Sequence, residues 1–438
     1  MDDRDDADRT ATPERAGAWS ALRSRDFAMF WTAALVSNTG TWMQGVTVPF
    51  VIDQVTHSTV WVGVSAFCTY FPATIVAPLA GPLADRHSRR AVLIVAQTIM
   101  MLAAAGLWIT YAAGVATPGT ILVLVVISAS AAGVNISTWQ AFVTQLVPKE
   151  SLLSAIRINS MQFTASRAIG PALAGLVLAT LGASVTFFVN AVTFLGIIAV
   201  LLVLRPREVE PAVTGRSMLA DFRDGWRYTR ARRVLLLSVL APLVIAFLGV
   251  SMSQMIEPYV RHVLHKGAGE FGLLVGTFGF GAIVAALLMV ALGDRLRRST
   301  LTMLGIACFV TGELLVGIVP RFGVAMLGLS IAGIAQVLVI VSNQTATQVN
   351  VDEEYRGRVL SIFTMCFFTG APVGALIAGI AAQAFGIRAT YVGAALLLVA
   401  AGVVLVVRFN WLRPLDESRA GFDVTVESAV EPGRREPG

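Results

Sequence analysis

The chain reads as an all-α membrane protein, with twelve transmembrane helices in two pseudo-symmetric six-helix bundles. Three observations predict this. Apolar runs of spanning length recur along the whole chain. A short charged motif occurs twice, 209 residues apart. Lys and Arg gather in alternate loops.

Composition comes first. The 438 residues are 56% hydrophobic and 14% charged, with a mean hydropathy of +0.73. A soluble domain carries about a quarter charged residues, so most of this surface must face lipid. The net charge of +6 and pI near 9.6 would also suit a nucleic-acid partner. The basic residues lie in short loops between apolar runs, however, so topology explains them and the expected partner is the bilayer. Cys68, Cys308 and Cys366 sit in apolar runs and predict no disulfide. His262 and His265 have no Cys or carboxylate cluster beside them, so no metal site is expected.

The apolar runs lie near 27–52, 60–84, 91–112, 119–146, 154–180 and 184–204, then near 234–260, 270–293, 300–319, 323–350, 357–384 and 387–409. Each has about the 20 residues that cross a bilayer. Five segments follow: a tail (1–26), an N-terminal six-helix bundle (27–204), a basic linker (205–233), a C-terminal six-helix bundle (234–409) and a second tail (410–438). The first tail has no apolar centre and does not read as a signal peptide. Both tails are polar and predict disorder. With the N-terminus inside, the inner segments hold 28 Lys and Arg, and the outer loops hold four: Arg261, Lys266, Arg321 and Arg388. That bias places both tails and the linker in the cytoplasm. Around Ser217 to Arg233 the linker predicts a basic amphipathic helix at the anionic inner leaflet. Ala, Val, Gly and Arg usage fits a bacterium of high GC content, hence a bacterial inner (plasma) membrane.

The repeat is visible residue by residue. Without gaps, 40–90 matches 249–299 at 13 of 51 positions. The pairs include Gly40/Gly249, Pro49/Pro258, Gly63/Gly272, Asp85/Asp294, Arg86/Arg295 and Arg89/Arg298. Apolar composition does not align Gly, Pro, Asp and Arg together. Further on, Gly-Pro-Ala-Leu-Ala-Gly175 resembles Ala-Pro-Val-Gly-Ala-Leu-Ile-Ala-Gly379. An even number of helices per repeat keeps both copies in one orientation, related by an axis along the membrane normal.

Gly81-Pro-Leu-Ala-Asp85-Arg86-His-Ser-Arg89-Arg90 resembles the loop signature of the major facilitator superfamily, and Asp294 to Arg298 resembles its weaker second copy. The resemblance covers roughly residues 25–410. Ser37 to Gln44, Ala165 to Gly175 and Tyr355 to Ser361 are similar to the branch of siderophore and macrolide exporters. The resemblance implies the major facilitator fold and a secondary active transporter. The candidate lining below, neutral amides with a few aromatics, would suit an amphiphilic small molecule (a siderophore, drug or natural product), exported by alternating access with proton antiport. The resemblance also implies that the charged loops gate the cytoplasmic side through Gly81, Asp85, Arg86, Arg89, Arg90, Asp294 and Arg295. The fourth run, 119–146, lacks the Arg that many drug/proton antiporters carry there. An importer or lipid flippase on the same fold is an alternative, as is a non-transporting binding platform. A monomer without cofactor is expected, and not an enzyme, since neither a Gly-x-x-x-x-Gly-Lys-Ser/Thr nor a Gly-x-Ser-x-Gly motif occurs.

Candidate residues follow from cost and period. Gly170, Pro171, Gly175 and Pro372 would bend helices or pack them closely. Arg167 lies near mid-membrane and should face a cavity or an acid. Glu257 and Asp53 stand near outer helix ends, where either could take up a proton. Glu313 lies midway along the ninth run, which the resemblance implies is a peripheral helix, where burial against a neighbour is the commoner outcome. Neutral polar residues at helical spacing could line a chamber: Asn38, Thr41 and Gln44 in the first run, Asn135, Trp139 and Gln140 in the fourth, Gln254 in the seventh, Gln336 and Asn343 in the tenth. The same amides also serve as interhelical bonds.

Overall fold

The structure is a computed structural model that describes residues 19–80, 87–204, 218–292 and 296–409. Of the loop residues above, Gly81, Asp85, Arg86, Asp294 and Arg295 lie outside the described residues.

The first bundle comprises α1 (Arg25–Thr56), α2 (Thr59–Leu79), α3 (Arg89–Ala112), α4 (Pro118–Val143), α5 (Leu152–Thr180) and α6 (Ala183–Val203). A linker helix, Met218–Ala231, follows. The second bundle comprises α7, which starts at Arg233–Leu248, α8 (Ala268–Leu292), α9 (Arg298–Ile318), α10 (Phe322–Asn350), α11 (Arg356–Phe385) and α12 (Ile387–Phe409). Among the described residues, eleven helices are long and apolar enough to cross a membrane. Helix α1 has 32 residues but is more polar and is not one of the eleven. Outward-facing Leu102, Val123, Leu195, Leu287 and Leu396 are all more than half exposed, an apolar coat that only lipid would cover.

The repeat pairs seen in sequence become equivalent contacts. Helix α2 runs along α11, and α5 runs along α8. A Cβ on Gly63 would lie 3.2 Å from Gly379 Cα, and one on Gly272 would lie 2.2 Å from Gly175 Cα. Gly63/Gly272 and Gly175/Gly379 are the repeat partners, so one contact is built twice about the pseudo-twofold. Only glycine lets two backbones meet this closely.

These contacts sit at the end of the molecule remote from the linker helix, termed here the far end. There Thr59 Oγ1 donates to Gly379 O at 2.9 Å, Ser58 Oγ approaches Gln383 Oε1 at 3.3 Å, and Phe50 stacks on Phe271. Toward the linker end, α5 packs through one side only and is exposed over a broad arc that includes Ile156, Ser160, Met161, Phe163 and Thr164. The bundle-to-bundle contacts above close the far end.

The linker helix is docked rather than free. Arg358 Nη2 lies 3.1 Å from Asp221 Oδ1, and Gly225 packs on the Arg358 side chain. Tyr228 stacks on Tyr355 at 4.1 Å with 5° between planes. Arg232 covers the outer face of Tyr228, and Arg358 lies over the Tyr355 ring. Two stacked rings thus carry a guanidinium each at the start of α11. The helix still presents Phe222, Arg223, Arg227 and Arg230 to the surroundings.

Candidate functional site

Helix α7 is the irregular element. Gly249 closes its first part because a Cβ there would lie 2.8 Å from the Phe309 ring. Val250–Met255 continue as 3₁₀-helix, Ile256–Pro258 form a single α-turn, and Tyr259–Val263 wind as π-helix. Pro258 has no N–H for the carbonyl of Gln254, which loosens the ladder one turn earlier. Broken helices of this kind carry function more often than regular ones.

The π-turn brings two adjacent side chains onto one acid. His262 Nε2 lies 3.1 Å from both oxygens of Asp53, and Arg261 Nε lies 3.1 Å from Asp53 Oδ2. Arg261 Nε also reaches Glu257 Oε1 at 3.2 Å. Asp53 and Glu257 are fully buried or nearly so and face each other. Glu257 Oε2 has no hydrogen-bond partner among the described residues. Beside the cluster lies a cavity of about 310 Å³, lined by Gln54, Tyr111, Glu257, Arg261, Lys266 and Phe271 among others. Tyr111 donates to Gln54 at 3.1 Å, and Lys266 pairs with Glu270 at 3.4 Å. Asp53 of the first bundle therefore meets Arg261 and His262 of the second, while Glu257 shares Arg261 from within the second bundle.

A second group sits at mid-depth. Arg167 Cζ lies 5.6 Å from the centroid of the Trp42 ring, and Phe163 meets the same ring edge-on at 6.0 Å. Gly170 permits this, since a Cβ there would lie 2.5 Å from Trp42 Cβ. Ser166 Oγ donates to Leu35 O at 3.2 Å and fixes α5 to α1. From α2, Tyr70 packs against Gly45 and stands near Gln254 of α7 and Arg167. A cation at this depth costs about 2.5–3.5 kcal/mol to insert, and the Trp42 face returns about 0.5–2 kcal/mol of it.

The remaining candidates are placed as follows. Gln44 accepts from Asn190 Nδ2 at 2.8 Å, Asn135 accepts from Gln97 Nε2 at 3.0 Å, and Trp139 Nε1 donates to Asn159 at 3.0 Å. Asn343 donates to Val339 O and Thr302 Oγ1. These bonds tie neighbouring helices of one bundle. Thr41 bonds back to Ser37 O, Asn38 is half-buried and Gln140 is exposed. Gln336 is buried, and its Nε2 has no partner among the described residues. Pro171 and Pro372 lie within continuous α5 and α11. Arg89 donates to Ala141 O at 3.2 Å, while Arg90 bonds Leu201 O and Leu202 O, so both cap C-terminal helix ends with positive charge. Arg261, His262, Trp42 and Tyr70 were not singled out from sequence. The signal for His262 was present: it is the repeat partner of Asp53.

Residues 16–430 match the family model described as transmembrane secretion effector. The chain belongs to that family. The chain is similar to the multidrug efflux pump Tap of Mycobacterium tuberculosis, at 26% identity over 407 residues, 91% of this chain and 96% of the pump. It is also similar to the enterobactin exporter EntS of Escherichia coli, at 26% identity over 390 residues, 85% of this chain and 91% of the exporter. A solved bacterial homologue of the lysosomal transporter Spinster superposes with a TM-score of 0.71 at 16% identity, covering 91% of this chain and 98% of that one. The chain is a multi-pass membrane transporter of the major facilitator type.

Proposed function

We propose that this chain exports an amphiphilic small molecule across the bacterial inner membrane, by alternating access and in exchange for protons. The bundles of residues 27–204 and 234–409 act as the two moving bodies, with the linker and both tails in the cytoplasm. The relatives named as efflux pump and exporter support the direction of transport.

The observation that carries the coupling is the far-end cluster. Asp53, Glu257 and Arg261 sum to one net negative charge, buried at the closing surface. One proton brings the sum to zero. Closure buries Asp53 and Glu257 together around the single guanidinium of Arg261, which leaves one carboxyl without a counter-charge, so closure and proton uptake favour one another. In an exporter this is the required sense. A proton taken from outside closes the empty carrier there and returns it to face the cytoplasm.

A resistance panel in an efflux-deficient host tests the reading, with wild type beside Asp53→Asn. Wild type should lower the internal level of at least one toxic amphiphile, and the variant should lose that effect at equal protein level. Accumulation above the level of the empty host would instead indicate import. Equal efflux by both would remove Asp53 from the coupling.

A further inference from the structure

Arg167 carries a charge that nothing in the far-end cluster uses. No carboxylate pairs with it among the described residues. One face of its guanidinium lies over the Trp42 ring. The ring stands where it does because Gly170 lets α5 press on α1. Arg167 and Phe163 are four residues apart and share one helix face, where both meet the Trp42 ring. Phe163 is 42% exposed there. Tyr70 of the first bundle stands near Arg167 and near Gln254 of the second.

This is a built environment for one kind of ligand. A guanidinium stacked on an aromatic face keeps its edge N–H groups available in a planar fork, and that fork matches an oxyanion. The two neighbouring rings offer flat apolar surface beside it. A cationic ligand would meet an uncompensated like charge. A neutral one would leave the guanidinium without an acceptor in a poorly hydrated place.

We propose that Arg167 is the anion-binding point of the transport site, and that the cargo is an acidic amphiphile: an apolar or aromatic body bearing a carboxylate, sulfonate or similar oxyanion. The oxyanion takes the Arg167 fork, the body lies against Trp42 and Phe163, and Tyr70 and Gln254 sense it across the two bundles. This rests on reading the chain as an exporter and names the class of molecule exported.

The test uses full-length protein in lipid nanodiscs and a matched pair of fluorescent probes, 1-anilinonaphthalene-8-sulfonate and uncharged N-phenyl-1-naphthylamine, with empty nanodiscs subtracted. Arg167→Gln should weaken the sulfonate probe about tenfold, the scale of one lost charge-assisted hydrogen bond. The uncharged probe should change less than about twofold. Arg167→Lys should recover part of the loss. Equal loss of both probes would make Arg167 a packing residue, and no loss of either would overturn the site. A measurement on wild type alone guards against a misfolded variant: the sulfonate probe should displace bound N-phenyl-1-naphthylamine, and tetraphenylphosphonium should not. Equal displacement by the cation would overturn the proposal. If neither probe leaves energised cells while the binding preference holds, the export reading fails and the anion site stands.

Discussion

His262 grips both oxygens of Asp53 at 3.1 Å, and the two residues are repeat partners, 209 positions apart. The far end is therefore closed by one position of the ancestral half meeting its own copy across the pseudo-twofold. In the first copy the position is an acid. In the second it is a base, with Arg261 beside it. Duplication placed the pair and divergence charged it.

Acid at the far end should close it. Cysteines placed by Ser58→Cys and Gln383→Cys, in a protein with Cys68, Cys308 and Cys366 replaced by Ser, span a contact of 3.3 Å in this state. Their cross-linking should rise as pH falls, because one proton neutralises the cluster of Asp53, Glu257 and Arg261. Lys266 is held by Glu270 nearby and should contribute little. With Asp53→Asn the cluster is neutral without a proton, and the yield should become insensitive to pH. A slope unchanged by the substitution would place the coupling elsewhere.

The glycine contacts should be intolerant of bulk. A Cβ on Gly175 would sit 2.1 Å from Gly272 Cα. Gly175→Leu should keep the far end from closing, reduce the same cross-link and lower efflux at least about tenfold. Each bundle keeps its own core, so the protein should remain monodisperse on gel filtration. Full efflux from Gly175→Leu would show that the carrier works without this contact.

Glu313 is 3% exposed, and neither of its carboxyl oxygens has a hydrogen-bond partner among the described residues. It lines a cavity of about 10 Å³, the room of a single water. Its neighbours there include Gly249 at the break in α7, Ser253 and Tyr391. Unsatisfied buried polar groups cost about 1–3 kcal/mol each. Glu313→Met should therefore raise thermal stability and leave efflux unchanged. A stable variant that no longer transports would make this carboxyl part of the working cycle.

The charged loop offers a contrast within a few residues. Arg90 caps the C-terminal end of α6 through Leu201 O and Leu202 O, a structural task worth about 0.3–1 kcal/mol. Arg90→Gln should lower the melting temperature by a few degrees and transport in proportion to the folded protein lost. Asp85→Asn should reduce transport with little loss of folded protein, as expected of a gate. Normal transport by Asp85→Asn would reduce the loop to an anchor.

Much of the frame was legible because it depends on periods and on solvent preference. Lipid demands long apolar runs, and duplication leaves Gly63/Gly272 and Asp85/Asp294 in register. Arg167 was legible by its cost, since a lone cation in an apolar run needs a reason. The candidate chamber was less so. Gln44, Asn135 and Asn343 have the right spacing for a cavity face, yet spacing alone does not say which neighbour an amide meets, and here each meets the next helix.

The sequence by itself determined that this chain is a duplicated, lipid-embedded helical transporter, because hydropathy, charge bias and internal repetition act through composition and order alone. Only the tertiary structure decided that Asp53 belongs with Arg261 and His262, that Arg167 rests on Trp42, and that the linker helix is clamped by Tyr228 and Tyr355. Those pairings depend on how far α7 unwinds after Gly249 and how closely Gly170 lets α5 approach α1. Both are set by packing in three dimensions, and no period in the chain records them.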